Sequence, residues 1–173
     1  MEQVKTERWL RLGLAGLVVA LIAVVGDTLR DRRVGVGDTA PEFTITTDSG
    51  RSISASDFGG KLLVLNFWAT WCPPCVEEMP ALEEFHRRMR QSGVVVLGIS
   101  VDKDENTYRS FLKRAGVSFL TARDPQTSIS SEYGTYRYPE TYVINSDRKV
   151  VQKIIGPHPW TDEKTIRDIL SKL

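Results

Sequence analysis

The sequence is poor in soft metal ligands and in surplus charge. Its 173 residues hold two cysteines and two histidines, and both cysteines fall in one C-x-x-C, Cys72 and Cys75. A four-ligand zinc site on that pair would have to recruit both His86 and His158, so metal binding is the weaker reading and no metal is expected. The net charge is +1, and residues 34–173 carry seventeen basic against eighteen acidic side chains. That balance lacks the electrostatic footprint of a nucleic-acid partner. Internal repeats and low-complexity segments are missing too. What is left, 41% hydrophobic and 26% charged residues, is the balance of a globular protein with room for one domain and an appendage.

The appendage is built on residues 12–25, LGLAGLVVALIAVV, an apolar run of fourteen residues. A bilayer-spanning helix needs about 20, but an interfacial Trp9 and a snorkelling Arg11 can extend the run. A retained transmembrane anchor and a cleaved signal peptide both fit. The run leads into Val24-Val25-Gly26-Asp27 without an A-x-A pattern, which favours the anchor. Lys5, Arg8 and Arg11 before it nearly balance Arg30, Arg32 and Arg33 after it. The free N-terminus tips the count slightly inward; that the following domain lies outside the cytoplasm is expected mainly from the lone C-x-x-C behind an export-type segment. The expected division is 1–26 as anchor or signal segment, 27–37 as a polar linker, and 38–173 as the domain.

Within the domain, residues 43–46 alternate apolar and polar, and Asp48-Ser49-Gly50 turns the chain back toward Ile53 as an N-terminal hairpin. Residues 62–68, LLVLNFW, are apolar nearly throughout, as in a strand buried on both faces. Helical periodicity follows from Pro73 to Gln91, with Pro80 expected to kink the helix and Gly93 to stop it. Next come a strand over 94–101, a helix capped by Asp104 or Asn106 and ended by Gly116, and a short strand over 119–122. A brief helix over 128–133, a hairpin of 141–144 with 150–155, and a last helix burying Ile166, Ile169 and Leu170 complete the chain. The alternation predicts an α/β fold, a mixed central sheet flanked by helices with a central βα insertion.

The C-x-x-C sits between the buried strand and the helix, the context of a dithiol redox site. Cys72 falls at the helix start, where unpaired N–H groups and the positive end of the helix dipole favour a thiolate. It is the expected attacking thiol, and Cys75, one turn inside, the one that resolves a mixed disulfide. Pro73 and Pro74 have no N–H, so only the amides of Cys75 and beyond can donate to the Cys72 thiolate, which implies a less oxidising couple. A structural disulfide, or two buried thiols, is the competing reading. On the helix, Cys75, Glu78, Leu82, Phe85 and Met89 share one stripe, with Glu77, Ala81, Glu84 and Arg88 outward. A carboxyl on the inward stripe should have a raised pKa and suit a proton acceptor for Cys75; the alternative is a glutamate whose head reaches solvent.

Four segments together carry a family resemblance: Ala40-Pro41-Glu42-Phe43, residues 65–75 (LNFWATWCPPC), Glu78-Met79-Pro80, and residues 138–144 (YPETYVI). Over roughly residues 35–173 the chain resembles the thioredoxin superfamily, in its membrane-tethered TlpA/ResA/CcmG (DsbE) branch of thiol-disulfide oxidoreductases. The resemblance implies a thioredoxin-like fold, catalysis by Cys72, Cys75 and Glu78, and a redox-active Cys72–Cys75 disulfide with no other cofactor. It implies a client-binding rim of Trp71, Pro73, Pro74, Tyr138, Pro139, Glu140 and Thr141, with Pro139 as the family's cis-proline and residue 138 offering backbone to an added client strand. Asn66 stands where thioredoxin has a buried aspartate, leaving Glu78 as the proton acceptor. Pro139-Glu140-Thr141 looks like the CcmG subgroup, while Arg137-Tyr138 replaces the Gly-Ala common before it and makes the rim bulkier. The implied partners are disulfide-bearing clients such as apocytochrome c and a transmembrane electron donor of the DsbD/CcdA kind, with the domain held extracytoplasmically at a bacterial-type membrane. A DsbA-like general oxidant or isomerase and a Sco-like copper metallochaperone are the alternatives. The peroxiredoxin pattern fails at Leu65 and Ala69.

Overall fold

The computed structural model describes residues 13–22, 24–26 and 33–173. The chain divides into two compact units, Met1–Arg32 and Arg33–Leu173. In the first, the described residues are helical, and Leu14, Leu17, Leu21 and Ile22 are exposed. Among the described residues no helix is long and apolar enough to cross a membrane. The anchor expected over 1–26 rests in part on residues outside that set. Residues 27–32 of the expected linker lie wholly outside it. From Val34 on, the expected linker is docked on the second unit: Val34 is buried, its N–H donates to the Tyr133 carbonyl at 3.1 Å, and the Gly37 N–H donates to the Val150 carbonyl at 2.8 Å.

The second unit begins with a hairpin, β1 (Thr44–Thr46) and β2 (Ser52–Ser54). Then follow β3 (Leu62–Trp68), α1 (Pro73–Met89), β4 (Val94–Ser100), α2 (Glu105–Ala115), β5 (Leu120–Arg123), α3 (Ser128–Glu132), β6 (Glu140–Ile144), β7 (Val150–Ile155) and α4 (Glu163–Leu170). The five longer strands form one mixed sheet in the order β5-β4-β3-β6-β7. β3, β4 and β5 run parallel, and β6 and β7 run antiparallel to their neighbours. β5, reached through α2, takes one sheet edge.

β3 is central because every one of its side chains is buried. Its pleat sends alternate residues to opposite faces. Leu62, Val64 and Trp68 pack with Leu82, Phe85, Tyr108 and Ile169 on the helical side. Leu63, Leu65 and Phe67 pack with Phe43, Ile53, Phe58 and Tyr133 on the hairpin side. Asn66 keeps the parity of Val64 and Trp68, which puts its amide on the α1 side. Thr141, opposite Asn66 in the β3–β6 register, shares that side, whereas Glu140 and Tyr142 take the other.

Helix α1 buries its whole expected stripe and adds Met79 and Glu83. Ala81, expected outward, is partly buried against the core. Glu83 is held inward by the Ser118 N–H, which donates to Oε2 at 2.8 Å. Asp104, not Asn106, caps α2, accepting the Thr107 N–H at 2.6 Å, and Gly116 closes it at φ 64°. Most other boundaries move by a residue or two: β6 starts at Glu140, and β5 spans Leu120–Arg123, leaving Phe119 free to enter the core.

Gly98, at the middle of β4, makes room for two rings. A Cβ there would lie 2.9 Å from Phe119 Cε2 and 3.1 Å from Trp68 Nε1, closer than atoms pack. Gly98→Ala should therefore lower unfolding stability by about 1–3 kcal/mol, the range for overpacked cores. Urea denaturation measures this, and an unchanged midpoint with an unchanged slope would contradict the packing described.

Candidate active site

The end of β3 and the start of α1 hold the two sulfurs together. Cys72 is the N-cap residue of α1, with extended backbone, and Pro73 and Pro74 form the first positions of the helix. This is where proline costs a helix nothing, because those N–H groups have no intrahelical partner. Cys72 and Cys75 are disulfide-bonded with their Cα atoms 5.3 Å apart. Cys75 is 0% exposed and Cys72 only 5%, the expected order, with Cys72 far less open than a helix N-terminus alone implies.

The turn before Cys72 is tied to the end of β4. The buried Asp102 carboxylate accepts from the Thr70 N–H at 2.9 Å, the Thr70 hydroxyl at 2.7 Å and the Ser100 hydroxyl at 2.6 Å. Three short bonds on one carboxylate fix the approach to the dithiol in a single geometry.

Glu78, three residues after Cys75 on the same face of α1, is 6% exposed. Its carboxylate collects three donors from two other parts of the chain. Asn66 Nδ2 on β3 donates to Oε1 at 3.1 Å, and the His158 N–H and Trp160 Nε1 donate to Oε2 at 3.0 and 3.3 Å. All three donors are neutral. Burial therefore dominates and pushes the Glu78 carboxyl above its ordinary value, against the opposing pull of the His158, Trp160 and Asn66 hydrogen bonds. Asn66 spends its other N–H on Thr141 Oγ1 at 2.9 Å, while its buried Oδ1 has no hydrogen-bond partner. An amide flip at Asn66 would thus offer an acceptor to a protonated Glu78.

The expected rim is only partly a rim. Trp71 is 62% exposed and meets the half-buried Tyr138 edge-on, ring centroids 5.8 Å apart. Beside this pair lies a cleft of about 610 Å³, lined by Thr70, Val101, Lys103 and Thr107 among others. Pro73 is exposed, Pro74 half-buried, and Pro139 buried with a cis peptide bond from Tyr138. Glu140 and Thr141, expected on the rim, are 0% and 2% exposed. Thr141 lies under the site, accepting from Asn66, and Glu140 faces the hairpin side of the sheet.

Sequence reasoning missed Asp102, Thr70 and Trp160, and considered His158 only as a metal ligand. His158 acts through its backbone N–H, which no residue pattern reveals. Trp160 left one signal: a buried indole needs an acceptor, and Glu78 was the inward carboxyl in want of donors.

A disulfide at the N-cap of the helix after a central parallel strand, with a buried carboxyl one turn on, defines a thioredoxin-like thiol-disulfide oxidoreductase. The Redoxin family matches residues 35–170. Thiol-disulfide oxidoreductase ResA of Bacillus thuringiensis subsp. konkukian is 33% identical over 146 residues, covering 81% of this chain and 84% of that protein. ResA of Bacillus subtilis is 30% identical over 147 residues, covering 82% of each. Among solved structures, a thiol:disulfide interchange protein of the thioredoxin family from Chlorobium tepidum superposes with a TM-score of 0.68 at 26% identity, over 79% of this chain and 98% of that one. A secreted Mycobacterium tuberculosis disulfide oxidoreductase homologous to Escherichia coli DsbE gives 0.65 at 25% identity, over 76% and 96%. The chain belongs to the Redoxin family of the thioredoxin superfamily and is a thiol-disulfide oxidoreductase of the ResA/DsbE type.

The Glu78 carboxyl gives a pH signature of known sign. Below its ordinary value of 4.5 the group is protonated in both folded and unfolded chains and contributes no slope. Above it, the unfolded chain has lost a proton that the folded chain still holds, so stability falls as pH rises until the raised folded value is passed. Glu78→Gln removes this loss. Denaturation of the oxidised protein from pH 4 upward should show the variant gaining on the wild type across that window, and parallel curves would contradict the buried carboxyl described here.

Proposed function

We propose that the chain is a membrane-tethered, extracytoplasmic reductant of client disulfides, with the haem-attachment cysteines of an apocytochrome c as its client and a transmembrane donor of the DsbD/CcdA kind restoring its dithiol. The observation that carries this reading is the set of amides around Cys72. Residues 73 and 74 have no N–H, and the Cys75 and Val76 amides donate to the Cys72 carbonyl at 3.0 and 3.1 Å. A thiolate on Cys72 is left with the helix dipole as its main support. Weak stabilisation of the reduced form makes the pair a ready electron donor. The apolar run at 12–25 supports a tether, and the likeness of Pro139-Glu140-Thr141 to the CcmG subgroup supports the client. The copper-carrier alternative wants a third ligand, and among the described residues no three His, Cys, Asp or Glu side chains converge to hold a metal.

In the proposed cycle the Cys72 thiolate attacks one sulfur of the client disulfide. That bond breaks, the other client sulfur leaves as a thiolate, and a mixed disulfide forms on Cys72. The ionised Glu78 carboxylate takes the proton of Cys75, and the Cys75 thiolate attacks the Cys72 sulfur. The second client thiolate departs, and the Cys72–Cys75 bond forms as two electrons pass to the client. A carboxyl with a raised proton affinity is a better base for a thiol than an ordinary glutamate, and burial supplies that affinity. Trp71 and Tyr138 flank the line along which an extended client would lie, with residue 138 offering it backbone groups.

Cys72→Ser should abolish reduction of insulin disulfides, while Cys75→Ser should accumulate a mixed disulfide with the client. Activity retained in Cys72→Ser would overturn the mechanism. The reduction potential, measured against a glutathione buffer, is expected nearer thioredoxin's value of about −270 mV than DsbA's value of about −120 mV. A value at the DsbA end would favour the oxidant reading.

A further inference from the structure

The wall of the site that carries Tyr138 is braced from behind by an ion pair that the cycle above leaves unused. Glu140 is fully buried, and Lys153 Nζ on β7 approaches its Oε1 at 2.9 Å with 14% of the lysine side chain exposed. In the β6–β7 register Lys153 stands opposite Tyr142, which places it diagonally across from Glu140 on the same face. Its ammonium lies 5.0 Å from the centroid of the Tyr142 ring, whose hydroxyl donates to Glu140 Oε1 at 2.6 Å. The other carboxylate oxygen accepts the Tyr136 N–H at 3.4 Å.

The same lysine also reaches the first residues of the unit. Lys153 Nζ donates to the Val34 carbonyl at 3.0 Å, and the Arg33 guanidinium sits 4.5 Å over the Tyr136 ring. With the Val34 N–H bound to the Tyr133 carbonyl at 3.1 Å, loop 133–139 is gripped along its length by Glu140, Lys153 and residues 33–34. A buried ion pair is a poor device for raw stability, because desolvation of both charges offsets most of their attraction. What such a pair supplies is a fixed arrangement of the groups around it.

We infer that Lys153 is a positioning residue: through Glu140 and the Val34 carbonyl it sets loop 136–139 against the dithiol, and residues 33–34 are a working part of the client-binding wall. The inference rests on the reading that clients dock along this loop. It assigns to Glu140 a role behind the site, acting through the backbone of its neighbours and never touching the client.

The test uses the full chain with Glu140→Gln, which keeps the shape and the Tyr142 hydrogen bond, and Glu140→Gln/Lys153→Met, which removes both charges. Folding is checked by circular dichroism. Two rates are read: insulin reduction, split into kcat and KM, and alkylation of reduced Cys72 by iodoacetamide, a small reagent that needs no docking wall. In the folded variants KM for insulin should rise about tenfold, as expected of a contact surface displaced by a fraction of an ångström, while alkylation stays within about twofold of wild type. An unchanged KM, or both rates falling together as in general loosening, would overturn the inference. A wild-type chain unable to reduce insulin would instead overturn the reductase reading beneath it.

Discussion

A carboxyl group held out of water among neutral donors is the constraint on which the site depends. Glu78 sits on the inward stripe of α1 and has to be satisfied, since an unpaired buried carboxylate would cost several kcal/mol. The fold meets that demand with a β3 side chain and two N–H groups from the loop before α4. None of these donors is charged, so the carboxyl is solvated by dipoles and keeps a high affinity for its proton. One residue thereby joins α1, β3 and the 156–160 loop, and the same residue stands one turn from the sulfur that must lose a proton.

The dithiol is positioned by an equally local device. Asp102 draws Thr70 onto the end of β4, and the two prolines start α1 directly after Cys72. Asp102 grips the turn just before the cysteines, and Glu78 stands one turn after them on α1. Dividing the two tasks lets the loop stay rigid whatever the protonation state of Glu78. On the far side, Tyr138 meets Trp71 from a loop that runs into the Glu140–Lys153 ion pair, so the two rings rest on separate supports.

Much of this was legible in the residues. The apolar run of β3, the C-x-x-C and the helical stripe locate the thiols and Glu78, because those patterns depend on burial and period alone. The partners of Glu78 were not legible. Asn66 and Trp160 lie 12 and 82 residues from it, and His158 contributes only backbone. Glu140 and Thr141 show a different limit: as neighbours in a strand they face opposite sides of the sheet, so their side chains were bound to take different surroundings, which reading them as one stretch of rim overlooked. Glu83 and Ala81 show that the buried stripe of α1 is wider than its strictest heptad positions, as it is for a helix packed on a sheet rather than on one partner helix. The described N-terminal residues are helical although the run mixes leucine and alanine with two glycines and five β-branched residues, which are weak helix formers by intrinsic propensity.

The protonation of the Glu78 carboxyl can be followed directly by titration. Carbon-13 NMR of the Glu78 carboxyl in the oxidised chain, assigned by comparison with Glu78→Gln, reports its midpoint. The expected midpoint lies above the ordinary 4.5, set by burial among neutral donors. A midpoint at or below that value would mean that the carboxyl is hydrated or charge-paired in solution, and the proton acceptor assigned to Cys75 would have to be sought elsewhere.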